Sequence, residues 1–92
     1  MRKMIMCEKK IRTDSGEKLT LIYSVTIDEF CDASMVFESY GAVITVPELA
    51  EEACLRHITH RSDEIFELTS LLALYDVTPA TLTDVVYDWL CR

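Results

Sequence analysis

Two hydrophobic periods divide the chain. From Leu19 to Ile27, apolar residues at Leu19, Leu21, Tyr23, Val25 and Ile27 alternate with Thr20, Ser24 and Thr26. A period of two built from β-branched and aromatic residues predicts a strand with one face buried, with Ile22 the one apolar residue on its second face. From Leu82 the period changes. Leu82, Val85, Val86, Trp89 and Leu90 fall at i, i+3, i+4, i+7 and i+8, the stripe of an amphipathic helix, flanked by Thr83, Asp84, Tyr87 and Asp88.

The remaining elements hang on these two. Met4 to Arg12 reads as a strand, and the Thr13-Asp14-Ser15-Gly16-Glu17 cluster as the turn that makes a β-hairpin of it with the run after it. Asp28 to Ser34 breaks the alternation and reads as a loop or a single helical turn. Phe37 to Val46 returns to strand character, with Tyr40, Ala42, Ile44 and Val46 on one face. Gly41 inside that run predicts a bulge or a close backbone approach.

Residues 45–58 support two readings. A helix could start at Thr45, with Pro47 in its first turn and Glu48 placed for a capping box. Alternatively the chain turns around Pro47-Glu48-Leu49-Ala50 and enters a strand from Glu52 to Thr59. Propensity favours the helix. The strand is preferred because it pairs back onto 37–46 and leaves Ser62 free to open the next helix.

Ser62 is a good N-cap residue, with Asp63 and Glu64 in the first turn, where negative charge suits the helix dipole. Ile65, Leu68 and Leu72 continue at helical spacing. Asp76-Val77-Thr78-Pro79 ends this helix and begins the last, with Thr78 as cap and Pro79 first inside. The expectation is one domain over residues 1–92, of class α+β. An antiparallel sheet of three to four strands is followed by a C-terminal helical hairpin packed on one face. At the centre of the final stripe, Trp89 is expected in the core.

Composition narrows the functional classes. Net charge is −7, which argues against nucleic acid and against anionic membrane surfaces as partners. The cations are uneven: Arg2, Lys3, Lys9, Lys10, Arg12 and Lys18 fall in the first eighteen residues, and only Arg56, Arg61 and Arg92 come later. This reads as a solvated basic strand pair balancing an acidic remainder. The sharper alternative is contact between a basic edge and an acidic surface of another copy or a partner. No apolar h-region develops before Glu8, Lys9 and Lys10, so a cytoplasmic location is expected. Cys7, Cys31, Cys54 and Cys91 are scattered and form no C-x-x-C pair, so free thiols are expected.

Candidate chemistry is sparse. Cys54, His57 and His60 form C-x2-H-x2-H, thiolate and imidazole being good zinc ligands. On a strand, however, His57 points away from Cys54 and His60, and no fourth ligand is evident. Cys31 or Cys54 could meet His57 or His60 in space as a nucleophile and base, but nothing around them marks an activated nucleophile. With only Gly16 and Gly41, no phosphate-binding glycine loop exists. The pairs Glu51/Glu52, Asp63/Glu64 and Asp84/Asp88 read as solvated faces. No catalytic, cofactor-binding or metal residue is assigned.

From Ser62 to Leu90, and above all in Val77-Thr78-Pro79 and Leu82-Thr83-Asp84-Val85-Val86-Tyr87-Asp88-Trp89-Leu90, the chain resembles a domain-of-unknown-function family of small bacterial proteins. Leu21-Ile22-Tyr23-Ser24 and Tyr40-Gly41-Ala42-Val43-Ile44 are similar in order and spacing. The resemblance implies strands followed by a helix pair and carries no activity, ligand or catalytic residue. The extra cysteines and Cys54-x2-His57-x2-His60 depart from the family's usual appearance. The functional expectation is a non-enzymatic protein-interaction or regulatory module without cofactor, its partner a protein, with a homodimer through a sheet face or edge strand as one form. The alternative is a small-ligand or metal-binding module around Cys54, His57 and His60.

Overall fold

The computed structural model describes all 92 residues. Four strands, β1 (Arg2–Arg12), β2 (Lys18–Asp32), β3 (Met35–Val46) and β4 (Glu51–Thr59), form one antiparallel sheet in chain order. Helices α1 (Ser62–Leu74) and α2 (Leu82–Leu90) follow, each introduced by little more than a turn. The expected α+β architecture is therefore present, and residues 51–59 are a strand, as the pairing argument required.

One sheet face makes the core. Leu21, Tyr23 and Val25 of β2 and Ala42, Ile44 and Val46 of β3 lie under Ile65, Leu68 and Leu72 of α1 and Leu82, Val86 and Trp89 of α2. The Tyr23 hydroxyl crosses this layer and donates to the Val77 carbonyl at 2.9 Å, which ties the interhelix turn to the sheet centre. Burial and the neighbouring Asp76 carboxylate push this phenol up to about 12.

Several boundaries differ from expectation. Asp28 to Asp32 is not a loop or helical turn but the continuation of β2, each residue paired with β3 down to Asp32 opposite Met35. The turn is made at Ala33 and Ser34, with Ala33 in the left-handed region at φ 54°. Cross-strand pairing extends the ladder past the point where alternation of polarity ceases, since Phe30 meets Phe37 and Cys31 meets Val36.

The helix starts also differ. Ser62 is the first helical residue rather than the cap; Arg61 occupies the cap position, and no side chain caps the helix. Instead the Thr59 hydroxyl receives the Arg61 amide at 3.2 Å and donates to Glu64 at 2.9 Å. Thr78 makes no side-chain cap either. Pro79 opens a 3-10 turn, Pro79–Thr81, and α2 begins only at Leu82. Leu90, expected in the apolar stripe, is 46% exposed.

Trp89 is buried, as its position in the stripe predicts. The Arg92 guanidinium lies 3.8 Å from its ring centroid, donates to the Trp89 carbonyl, and pairs with Glu64 of α1. The chain end is thereby pinned over the core's last large side chain. Trp89→Ala is expected to cost roughly 3–5 kcal/mol, read as a lower midpoint in denaturant unfolding. An unchanged midpoint would move Trp89 out of the core.

Candidate functional site

The core face carries no chemistry, so any site lies on the opposite face or along the edges. There the determining feature is a bulge. Between Tyr40 opposite Thr59 and Ala42 opposite Leu55, β3 contributes Gly41 alone, while β4 contributes Arg56, His57 and Ile58. The extra residues are accommodated by His57 in the left-handed region, at φ 61°, a conformation that costs a residue with a Cβ. Gly41 makes room. A Cβ there would lie 2.7 Å from the Arg56 Cα and closer still to the Leu55 carbonyl oxygen. The bulge and the close approach foreseen at Gly41 are thus one feature, with β4 lying across the glycine.

The bulge turns Arg56 and His57 toward the far end of β2. Asp28, whose side chain is only 8% exposed, accepts from Arg56 Nε at 3.1 Å and Nη2 at 2.5 Å, a two-pronged ion pair. His57 Nε2 stands 4.0 Å from the same carboxylate. The bonded guanidinium, against the opposing effect of burial, holds the Asp28 carboxyl below its usual range.

An aromatic row borders this pair. Phe30 and Phe37 stack across β2 and β3 at 5.6 Å, His57 lies 5.3 Å from Phe30, and His60 meets Phe37 edge-on at 5.5 Å. His60 Nδ1 is held 3.3 Å from the Glu38 carbonyl. Each imidazole is therefore committed to an aromatic neighbour and a strand.

This placement decides the sequence candidates. His57 and His60 are drawn onto the two phenylalanines, and Cys54 stays behind on regular β4, opposite Val43. No group of three or more His, Cys, Asp or Glu side chains is placed to hold a metal ion, which removes the structural basis for the Cys54/His57/His60 metal reading. Partial burial, with Glu52 beside it, pushes the Cys54 thiol up, opposite to the shift that activates a nucleophile. Cys31 and Cys91 are exposed free thiols, and Cys7 is a half-buried one. Asp84 and Asp88 are exposed on α2, as are Glu51, Glu52 and Asp63. Sequence reasoning missed Asp28, Arg56, Phe30 and Phe37; only Gly41 carried a signal toward them.

A model of a family of unknown function, DUF6514, matches residues 2–92. The chain belongs to this family. No curated protein and no solved structure matches it. The DUF6514 match covers the sheet, the bulge and both helices, so the Gly41 crossing and the Asp28–Arg56 pair lie within the family's domain. No helix is long and apolar enough to cross a membrane.

Two consequences can be measured. Gly41→Ala forces β4 off β3 at the bulge and is expected to destabilise by about 3 kcal/mol, a lower thermal midpoint being the readout. Because the Asp28 carboxyl titrates lower in the folded chain than in the unfolded one, its pairing stabilises above the unfolded value near pH 4. That contribution is lost as pH falls through the folded value. Asp28→Asn should therefore lower the melting temperature at pH 7 and flatten its decline between neutral pH and pH 3. A parallel decline in both proteins would show that Asp28 contributes nothing to acid sensitivity.

Proposed function

We propose that this chain is a non-enzymatic protein-interaction module that joins a second copy of itself through the end of the sheet left bare by the helices. One observation carries the reading. Exposed apolar side chains gather at that end, beside the Ala33–Ser34 turn: Phe30 of β2, and Met35, Val36 and Phe37 of β3. Val36 and Met35 are about two-thirds exposed. Contiguous apolar surface of this kind marks association sites more often than solvent-facing structure.

Geometry gives the reason for the gap. Helices of 13 and 9 residues reach roughly 20 and 14 Å. A strand of 15 residues reaches about 50 Å. The pair covers one half of the sheet, and the β2–β3 arm continues past it.

Charge supports a like partner. Although the chain carries −7 overall, most charges at this end have a partner within it. Arg2 is shared between Glu29 and Glu38, Lys3 pairs with Glu52 and Arg56 with Asp28, and Asp32 stands alone at the tip, so five carboxylates share three cations. Two copies meeting here therefore oppose only a small excess of carboxylates, against a larger exposed apolar surface.

Sedimentation velocity across a concentration series tests the reading. Wild type is expected to pass from monomer to dimer, and Phe37→Glu to stay monomeric while keeping a cooperative melt. A wild-type monomer at every concentration removes the self-association version.

A further inference from the structure

We infer that β1 is a docking edge for an extended acidic segment of another protein, which adds to the sheet as a fifth strand beside Cys7–Arg12. The inference rests on the interaction-module reading but uses the surface at the other end of the sheet from the apolar arm.

The edge is open. β1 is an outer strand, and every one of its ladder bonds goes to β2. None of the ten backbone hydrogen bonds outside the helices and ladders reaches a β1 backbone group. The other edge strand is interrupted by the three-residue bulge at Arg56–Ile58, a device that discourages strand addition. In β1 the register shift between Ile5 and Cys7 leaves the six residues from Cys7 to Arg12 as a regular run.

The charge on that run is specific. Six of the nine Lys and Arg side chains are within 4 Å of a carboxylate. The three that are not are Lys10, Arg12 and Lys18, and they converge. Arg12 and Lys18 are directly opposite in the β1–β2 register, and Lys10 lies two positions along on the same side. Together with Ile11 they line an open hollow of about 300 Å³. Like charges directly opposite one another on a sheet are unfavourable. Here three stand together, and Glu48, held on Thr20 opposite Lys10, offsets Lys10 in part; an anionic partner would relieve the repulsion that remains around Arg12 and Lys18.

The edge also defines what it accepts. On the solvent side of β1, Glu8 is followed by Lys10 and then Arg12. A docked strand would place carboxylates beside Lys10 and Arg12, two residues apart as strand alternation requires, and no carboxylate beside Glu8. Another copy's β1, antiparallel and centred on Lys10, would set Glu8 opposite Arg12 but Lys10 opposite Lys10, so a strand with a carboxylate at both positions fits this edge better. Strand addition supplies main-chain bonds, and the alternate side chains supply selectivity.

The test uses the full chain and a labelled octapeptide of alternating Glu and Val, read by fluorescence anisotropy and amide chemical shifts. Binding at low salt is expected to perturb amides of residues 7–12, to weaken more than tenfold in K10E/R12E/K18E, and to weaken similarly when Gln replaces Glu in the peptide. N-methylation of alternate peptide amides should also abolish it, because the edge then loses its hydrogen-bonding partner. Equal binding of Glu and Gln peptides, shifts confined to the Phe30–Phe37 arm, or indifference to N-methylation would each overturn the proposal. So would equal binding by a single-stranded oligonucleotide of the same charge. A Phe37→Glu chain that is monomeric yet still binds the peptide separates this proposal from the self-association reading.

Discussion

The structure depends on the burial of one sheet face by two helices shorter than the strands beneath them. The face is built from Leu21, Tyr23 and Val25 against Ala42, Ile44 and Val46, and apolar burial there is the main favourable contribution to folding. Everything else follows from how far that cover extends. Under the helices the strands are fixed by packing; past them they are held by the ladder and by cross-strand pairs. The molecule is accordingly long, with extents of 54 × 27 × 17 Å.

Beyond the cover, local devices replace the core. The Phe30–Phe37 stack continues the ladder, and the Asp28–Arg56 ion pair joins β2 to β4 across the intervening strand. That pair exists only because the bulge brings Arg56 over, and the bulge fits only because residue 41 has no side chain. A glycine and a left-handed histidine thus determine the position of a charge pair that no alternation of polarity foreshadows. Asp28 contributes to this arrangement as a carboxylate, so the far half of the sheet is tied to pH.

The sequence was legible where one period ruled over many residues. The β2 alternation and the α2 stripe lie in the core, where burial enforces the period, and both elements were readable from it. Legibility failed where the backbone departs from what its residues advertise. Ala33, Ala50, His57 and Asp76 all adopt positive φ, a conformation ordinarily announced by glycine or asparagine. Ala50 closes the 3-10 turn before β4, where Pro47 had announced a turn, but Ala33 makes the β2–β3 turn without being a turn residue by type, and with the alternation broken after Ile27 residues 28–34 read as a loop. The cap at Ser62 failed for a related reason: Thr59 and Glu64 satisfy that end from outside the first turn. At the candidate site, His57 and His60 were visible as residues, but strand alternation gave them the wrong neighbours once three residues of β4 stood opposite one of β3.

The two ends of the sheet carry opposite physics, and this bears on how the chain could join other molecules. At the arm most charges are paired internally and the exposed surface is apolar, so association there depends chiefly on area removed from water and responds weakly to salt. At the β1 edge the backbone is open and Lys10, Arg12 and Lys18 have no carboxylate within 4 Å, so association there is long-ranged and screened over a Debye length of about 8 Å at physiological ionic strength. Because the helices occupy the sheet between them, neither surface needs the other in order to form. A chain of this size with a single core can in this way present two separate contacts, one set by shape and apolar area, the other by charge and strand register. Salt dependence distinguishes which of the two any observed partner is using.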